Sequence, residues 1–138
     1  YTMYNGVFEF RLPLGPLPLA AYVGGGYTGD SLSLESTKIE GEGLFAGARA
    51  LADLDGVVLE GYYQHSPRFS LAETTDGGEL ECDAALTRYG ASLRYPVVWP
   101  LEIVIGYKGS LLEPGDDYQG ELKKVQTNIL TAGGAVSF

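Results

Sequence analysis

Residues 44–64, LFAGARALADLDGVVLEGYYQ, decide the fold that the sequence predicts. From Leu44 to Ala52 every second residue is apolar, and after Gly56 apolar positions again alternate with polar ones. Successive side chains on a β-strand point to opposite faces, so each half predicts a strand with one apolar and one polar face. The turn residues between Asp53 and Gly56 favour a tight connection. The stretch therefore predicts an antiparallel β-hairpin.

The same arrangement recurs along the chain and predicts seven strands, the last from about Val125 to Phe138. Three compact turns, which all fall at one end of the predicted sheet, separate the strands of each hairpin: 14–17, 53–56 and 95–100. Three polar stretches connect one hairpin to the next and are predicted as long acidic loops: 30–42, 66–83 and 113–124. Residues 1–138 thus form a single domain.

Composition agrees with an all-β chain and excludes several other classes. The chain has 138 residues, 45% of them apolar, which excludes a disordered tail. Its 20 glycines, 7 prolines and 10 tyrosines disfavour a helical bundle. The net charge of −9 disfavours nucleic acid as a partner, because phosphates select basic surfaces.

The distribution of charge distinguishes a membrane barrel from a soluble one. In the predicted strands and short turns acids and bases cancel, so the whole negative excess lies in the three loops. A closed interior needs such local balance because each buried charge needs a partner, whereas a water-facing surface does not. The predicted lumen therefore holds an ion network of nine side chains: Glu9, Arg11, Arg49, Asp53, Glu60, Arg88, Arg94, Glu102 and Lys108. The alternative is a soluble, lipocalin-like barrel with its apolar face inside.

With the polar face in the lumen, the apolar face contacts lipid. Aromatic side chains fall at two levels of this face, as expected for the girdles at the two membrane interfaces. The predicted interface aromatics are Tyr63, Tyr95, Trp99, Tyr107 and Phe138. We expect a transmembrane, antiparallel, up-and-down β-barrel.

The C-terminal segment, residues 129–138, alternates apolar residues and ends in Phe138. It resembles the signal of small bacterial outer-membrane barrels of the OmpA, OmpX and OmpW kind, and the composition resembles that of a Thermus-type thermophile. The resemblance implies an outer-membrane location, membrane lipid as surroundings, and recognition of Phe138 by the barrel assembly machinery. Because bacterial barrels have even strand counts, it also implies eight strands, with an N-terminal strand preceding Tyr1.

We expect a structural or adhesive anchor without enzymatic activity, whose interior is plugged by ion pairs and whose acidic loops contact a surface layer or another extracellular ligand. Two alternatives stay open: a lipid-modifying enzyme, and a narrow pore or conduit for small hydrophobic molecules. The enzyme would need His65 to meet a serine and an acid, but strand geometry points Ser66 to the opposite face.

Two further features of the loops suggest chemistry. Oxygen ligands of the kind calcium prefers are Asp76, Glu79, Glu81, Asp83, Glu113, Asp116 and Asp117, although they lack the spacing of an EF-hand. No other cofactor is predicted. Cys82 is the single cysteine, which is unusual in an oxidising compartment. It is a disulfide candidate, with a partner either N-terminal to Tyr1 or in another molecule.

Overall fold

Seven antiparallel β-strands form one sheet in the computed structural model, which describes residues 2–16, 18–34, 37–75, 78–115 and 124–136. The strands are β1 (Thr2–Leu12), β2 (Leu19–Leu34), β3 (Thr37–Leu54), β4 (Val57–Thr75), β5 (Gly78–Val98), β6 (Leu101–Pro114) and β7 (Val125–Val136). Each strand pairs with the next one along the chain, so the sheet is an up-and-down meander. The predicted all-β class and the seven strands are confirmed. The described residues include no helix long and apolar enough to cross a membrane.

The three short connections lie where the sequence predicts them. Between β3 and β4, Asp55 and Gly56 both have positive φ, of 54° and 91°. These are the left-handed values that a two-residue type I′ hairpin turn requires, and glycine adopts them without steric cost. The backbone N–H of Gly56 donates to Oδ1 of Asp53 at 3.0 Å, which fastens the turn.

In two of the three stretches predicted as long loops, the described residues are β-strand. Residues 30–34 and 37–42 are strand, and so are 66–75 and 78–83, with pairing that continues to Leu34↔Thr37 and Thr75↔Gly78. The polar composition of these stretches favours loops. In the structure the polar residues lie on one face of strands that extend farther from the short turns than the sequence predicts. In the third stretch β6 ends at Pro114, and residues 116–123 lie outside the described part of the chain.

A β-bulge interrupts the alternation of β4 within the stretch 66–83. The register of β4 against β5 shifts between Ser66 and Phe69, so that Pro67 and Arg68 take the place of a single residue. One extra residue reverses which alternate positions face each side of the sheet. Proline is tolerated there because a bulge interrupts the hydrogen-bond ladder. We call the part of the sheet on the far side of the bulge from the short turns the part above the bulge. There, Phe69 faces the same side as Ser66.

The sheet is strongly curved. Arg88 of β5 reaches Thr28 of β2, and a cavity of about 450 Å³ is lined by residues of all seven strands. We call the side that holds this cavity the concave face, and the opposite side the convex face. No contact joins β1 to β7 within the described ranges, so these two strands are the edges of the sheet.

The apolar core lies on the concave face above the bulge. Phe69, Leu71 and Leu86 are buried there, and Ile39, Cys82 and Leu112 pack against them. The ring of Phe69 occupies the place that a Cβ atom at position 41 would take, so this position accepts only glycine without displacement. We call the part of the sheet above the bulge, residues 37–43, 69–75 and 78–85, the extension.

Candidate functional site

The cavity on the concave face gathers charged side chains around Arg49. Its guanidinium lies 2.8 Å from a carboxylate oxygen of Glu9 on β1 and 3.4 Å from one of Glu60 on β4. The guanidinium carbon also lies 4.6 Å from the centroid of the Tyr22 ring, within the range of a cation–π contact. One base therefore links four strands, since Arg49 is on β3 and Tyr22 on β2.

A second cluster, higher in the cavity, was missed by sequence reasoning. Arg88 donates to Oγ1 of Thr28 at 2.9 Å and forms an ion pair with Asp30. Thr28 is almost completely buried. The sequence predicts Asp30 in a loop, but the parity that it shares with Tyr22 on the same strand indicates the concave face.

The remaining members of the predicted ion network are not all brought together. Nε of Arg94 lies 3.5 Å from Oε2 of Glu102 near the short-turn end. Asp53 instead accepts the Gly56 N–H in the turn. Among the described residues, no acid lies within ion-pair distance of Arg11 or Lys108. The structure thus joins Arg49 with two predicted acids and Arg94 with one.

The convex face below the bulge carries large apolar side chains that the protein leaves uncovered. Exposed fractions reach 68% for Phe10, 71% for Leu44, 76% for Leu130 and 84% for Trp99. On β3 the apolar positions of this face run from Leu44 to Leu54, a span of 11 residues. Strands of 9–11 residues are the length that crosses a bilayer.

Aromatic residues predicted for the membrane interfaces lie on this face. Tyr63, Tyr95 and Tyr107 are exposed there, and Trp99 follows at the short-turn end. The Tyr107 hydroxyl donates to Oδ1 of Asn128 at 2.7 Å. Phe138 lies outside the described residues.

His65 and Ser66 face opposite sides of β4. Nδ1 of His65 lies 3.0 Å from Oγ1 of Thr87, its register partner on β5. The Ser66 hydroxyl is buried and donates to the carbonyl of Leu44 at 2.7 Å. In this geometry the serine oxygen satisfies a backbone group beside the bulge, and the histidine has a threonine as its neighbour.

The polarity of the two faces reverses at the bulge. Below it, the concave face holds the ion pairs of Arg49 and the convex face is apolar. Above it, the concave face holds the Phe69 cluster, whereas the convex face carries Glu40, Glu42, Glu81 and Asp83, all exposed. The convex face of one continuous sheet thus carries apolar side chains below the bulge and acidic side chains above it.

The calcium candidates are only partly described. Glu81 and Asp83 lie on the convex face of β5, and the carboxylate of Glu113 is 2.8 Å from Nζ of Lys124. In the described part of the chain, no three His, Cys, Asp or Glu residues are grouped so as to hold a metal ion. The side chain of Glu79 and the residues Asp76, Asp116 and Asp117 lie outside the described set, so calcium binding stays a prediction.

Cys82 carries a free thiol that packs against the Phe69 cluster on the concave face. Burial raises the pKa of this thiol, and the negative charges of Asp83 and Glu73 raise it further. A raised pKa keeps the thiol protonated and less reactive near neutral pH. Whether it forms a disulfide with a residue beyond this chain stays a prediction.

Comparisons of the chain with models of protein families, with curated proteins and with solved structures find no match.

Proposed function

We propose that this protein is an integral β-barrel of the bacterial outer membrane that acts as a structural or adhesive anchor and displays the acidic extension at the cell surface. The observation that carries the proposal is the reversal of polarity on the convex face at the bulge. A change of surface chemistry along one continuous face is what a change of solvent from hydrocarbon to water requires.

The height of the apolar part supports a membrane position. From Leu44 to Leu54 on β3 there are ten steps of about 3.3 Å, or roughly 33 Å along the strand. With the tilt of about 40° that is usual in such barrels, this corresponds to roughly 25 Å along the membrane normal, the height of the apolar band of outer-membrane barrels. In water the same surface would be an aggregation hazard, because soluble monomers rarely expose large contiguous apolar patches.

The direction of the strands supports closure by one more strand. Seven antiparallel strands leave β1 and β7 running the same way. An eighth strand, antiparallel to both edges, would close the barrel with every backbone group paired, as a bilayer demands. The cavity lined by all seven strands would then be the lumen.

The contents of that lumen favour an anchor over a pore. The ion pairs of Arg49 and Arg88 cross the cavity, and Phe69, Leu71 and Leu86 fill a further part of the concave face. Eight strands leave an interior only wide enough for side chains to fill. Steady conductance in a planar bilayer would contradict a plugged interior. We assign no catalytic role to His65.

Trp99 makes a direct test possible because it is the single tryptophan, and it is exposed at the short-turn end of the apolar face. We expect its emission in lipid vesicles to be quenched most strongly by lipids brominated near the headgroup, and less by lipids brominated at the chain end. Boiling should also change the mobility of the protein on detergent gels, because the folded barrel resists unfolding by the detergent. Emission that brominated lipids leave unchanged, from protein that stays monodisperse without detergent, would refute the membrane assignment and favour a soluble barrel.

A further inference from the structure

An apolar groove crosses the convex face at mid-height. Its volume is about 440 Å³, and its floor is formed by Ala50, Gly61 and Ala91 on three neighbouring strands. These three residues are register partners, so the floor runs directly across the sheet. On the short-turn side Leu59 and Leu93 stand higher than the floor and form a wall. The groove is therefore a shallow, open apolar depression that these two leucines bound on one side.

Small side chains continue upward from the groove along β3. Its convex face carries Ala48 and Ala46 beside the larger Tyr63 and His65 of β4, which are their register partners. A strip of small apolar side chains therefore runs along β3 as far as the exposed Leu44. An unbranched hydrocarbon chain can lie along such a strip because it brings no polar groups that need partners.

Arg68 lies above this strip, at the level of the bulge. It is a residue of the bulge, lies between the inward-facing Ser66 and Phe69, and is exposed. In the described part of the chain no carboxylate lies within ion-pair distance of its guanidinium. A guanidinium at the edge of an apolar belt, without a partner in the protein, is suited to a phosphate oxygen, which it can bind with two parallel hydrogen bonds.

The distance between the two parts matches one lipid. From Gly61 to Arg68 the strand advances about six steps once the bulge is allowed for, roughly 20 Å along β4. With a tilt of about 40° this is roughly 15 Å along the membrane normal, somewhat more than half of the apolar band of roughly 25 Å. A lipid with its phosphate at Arg68 would place the end of its acyl chain in the groove.

We propose that the groove and Arg68 form a binding site for one anionic phospholipid in the leaflet next to the extension. The acyl chain lies over Ala50, Gly61 and Ala91, and the phosphate bonds to Arg68. The extension above carries a strong excess of acids, so lipid phosphate would be repelled elsewhere along this rim. This inference rests on the proposed membrane position of the convex face.

The test compares phosphatidylglycerol with phosphatidylcholine, added to the whole protein in neutral detergent and counted by native mass spectrometry. We expect one phosphatidylglycerol per chain, bound about five-fold more tightly than phosphatidylcholine, since one arginine near a lipid surface contributes on that scale. Arg68→Gln should abolish this preference, and its matched control Arg11→Gln should keep it. Ala50→Phe, which fills the groove, should weaken the binding of both lipids, whereas Ala132→Phe, on the convex face outside the groove, should not.

Equal affinity for the two lipids, or a preference that survives in Arg68→Gln, would overturn the inference. If Ala50→Phe binds both lipids as tightly as the unchanged protein does, the groove is not part of the binding site. These results are distinct from a failure of the membrane assignment, which the quenching of Trp99 reports. Each variant is therefore first checked for Trp99 quenching and for heat-modifiable mobility, and only variants that pass both are compared.

Discussion

Arg49→Met tests whether the ion pairs of the cavity stabilise the fold. The substitution removes a guanidinium that faces both Glu9 and Glu60 and leaves their two carboxylates in one cavity. Exposed ion pairs are worth about 0–1 kcal/mol, whereas breaking a buried pair costs about 3–5 kcal/mol. The three side chains are about one-third exposed, at 33%, 32% and 36%. We therefore expect a loss of about 2–3 kcal/mol in the free energy of unfolding.

The loss can be measured by reversible urea unfolding in lipid vesicles, with Trp99 emission as the signal. Arg11→Met is the matched control, since Arg11 shares the concave face but has no acid within ion-pair distance in the described ranges, and it should cost less than about 0.5 kcal/mol. Adding Glu9→Gln and Glu60→Gln to Arg49→Met should recover at least half of the loss, because the unpaired charges are then gone.

Two results would refute this reasoning. If Arg49→Met costs no more than Arg11→Met, the pairs contribute nothing measurable. If removing both carboxylates recovers nothing, the cost comes from lost packing of the arginine stem and its contact with Tyr22, and the charges are not its cause.

Two smaller predictions concern the upper part of the sheet. Ser66→Ala should lower the free energy of unfolding by about 1–3 kcal/mol, because it removes the buried hydroxyl that donates to the carbonyl of Leu44, and Ser70→Ala on the exposed side should have little effect in the same urea assay. Cys82 should react with iodoacetamide more slowly at pH 8 than a cysteine in a short peptide, because its raised pKa leaves less thiolate. Asp83→Asn should speed the reaction, because it removes a negative charge that raises this pKa. A pH profile of the reaction equal to that of the peptide would contradict the burial of the thiol.

Local features of the fold could be predicted from the sequence, but features that depend on curvature could not. The turn at 53–56 and the alternation of β3 are properties of neighbouring residues, so the hairpin was predictable. The pairing of Arg88 with Asp30 joins residues 58 positions apart, and the choice of Glu9 by Arg49 depends on how sharply three strands bend. The sequence shows which side chains are charged and with which sign, but it does not show which acid pairs with which base.

The missed strands have a similar cause. Phe69 and Leu71 follow the parity opposite to that of the lower half of β4, so a reader who expects one unbroken alternation finds no strand beyond Ser66. Only the pairing with β5 reveals that Pro67 and Arg68 together replace one residue. For the candidate sites, composition indicated an acidic upper part, but the division of that part into an apolar and an acidic face appeared only in three dimensions.

The bulge also restricts how the gene can change length. The extra residue shifts the alternation of inward and outward side chains on β4 by one position. The residues from Phe69 to Thr75 keep this shifted alternation. Losing or gaining a single residue there would turn Phe69 and Leu71 toward water and turn Ser70 and Ala72 into the core, whereas changes of two residues would preserve the sidedness. Length variation in this hairpin should therefore occur in even steps.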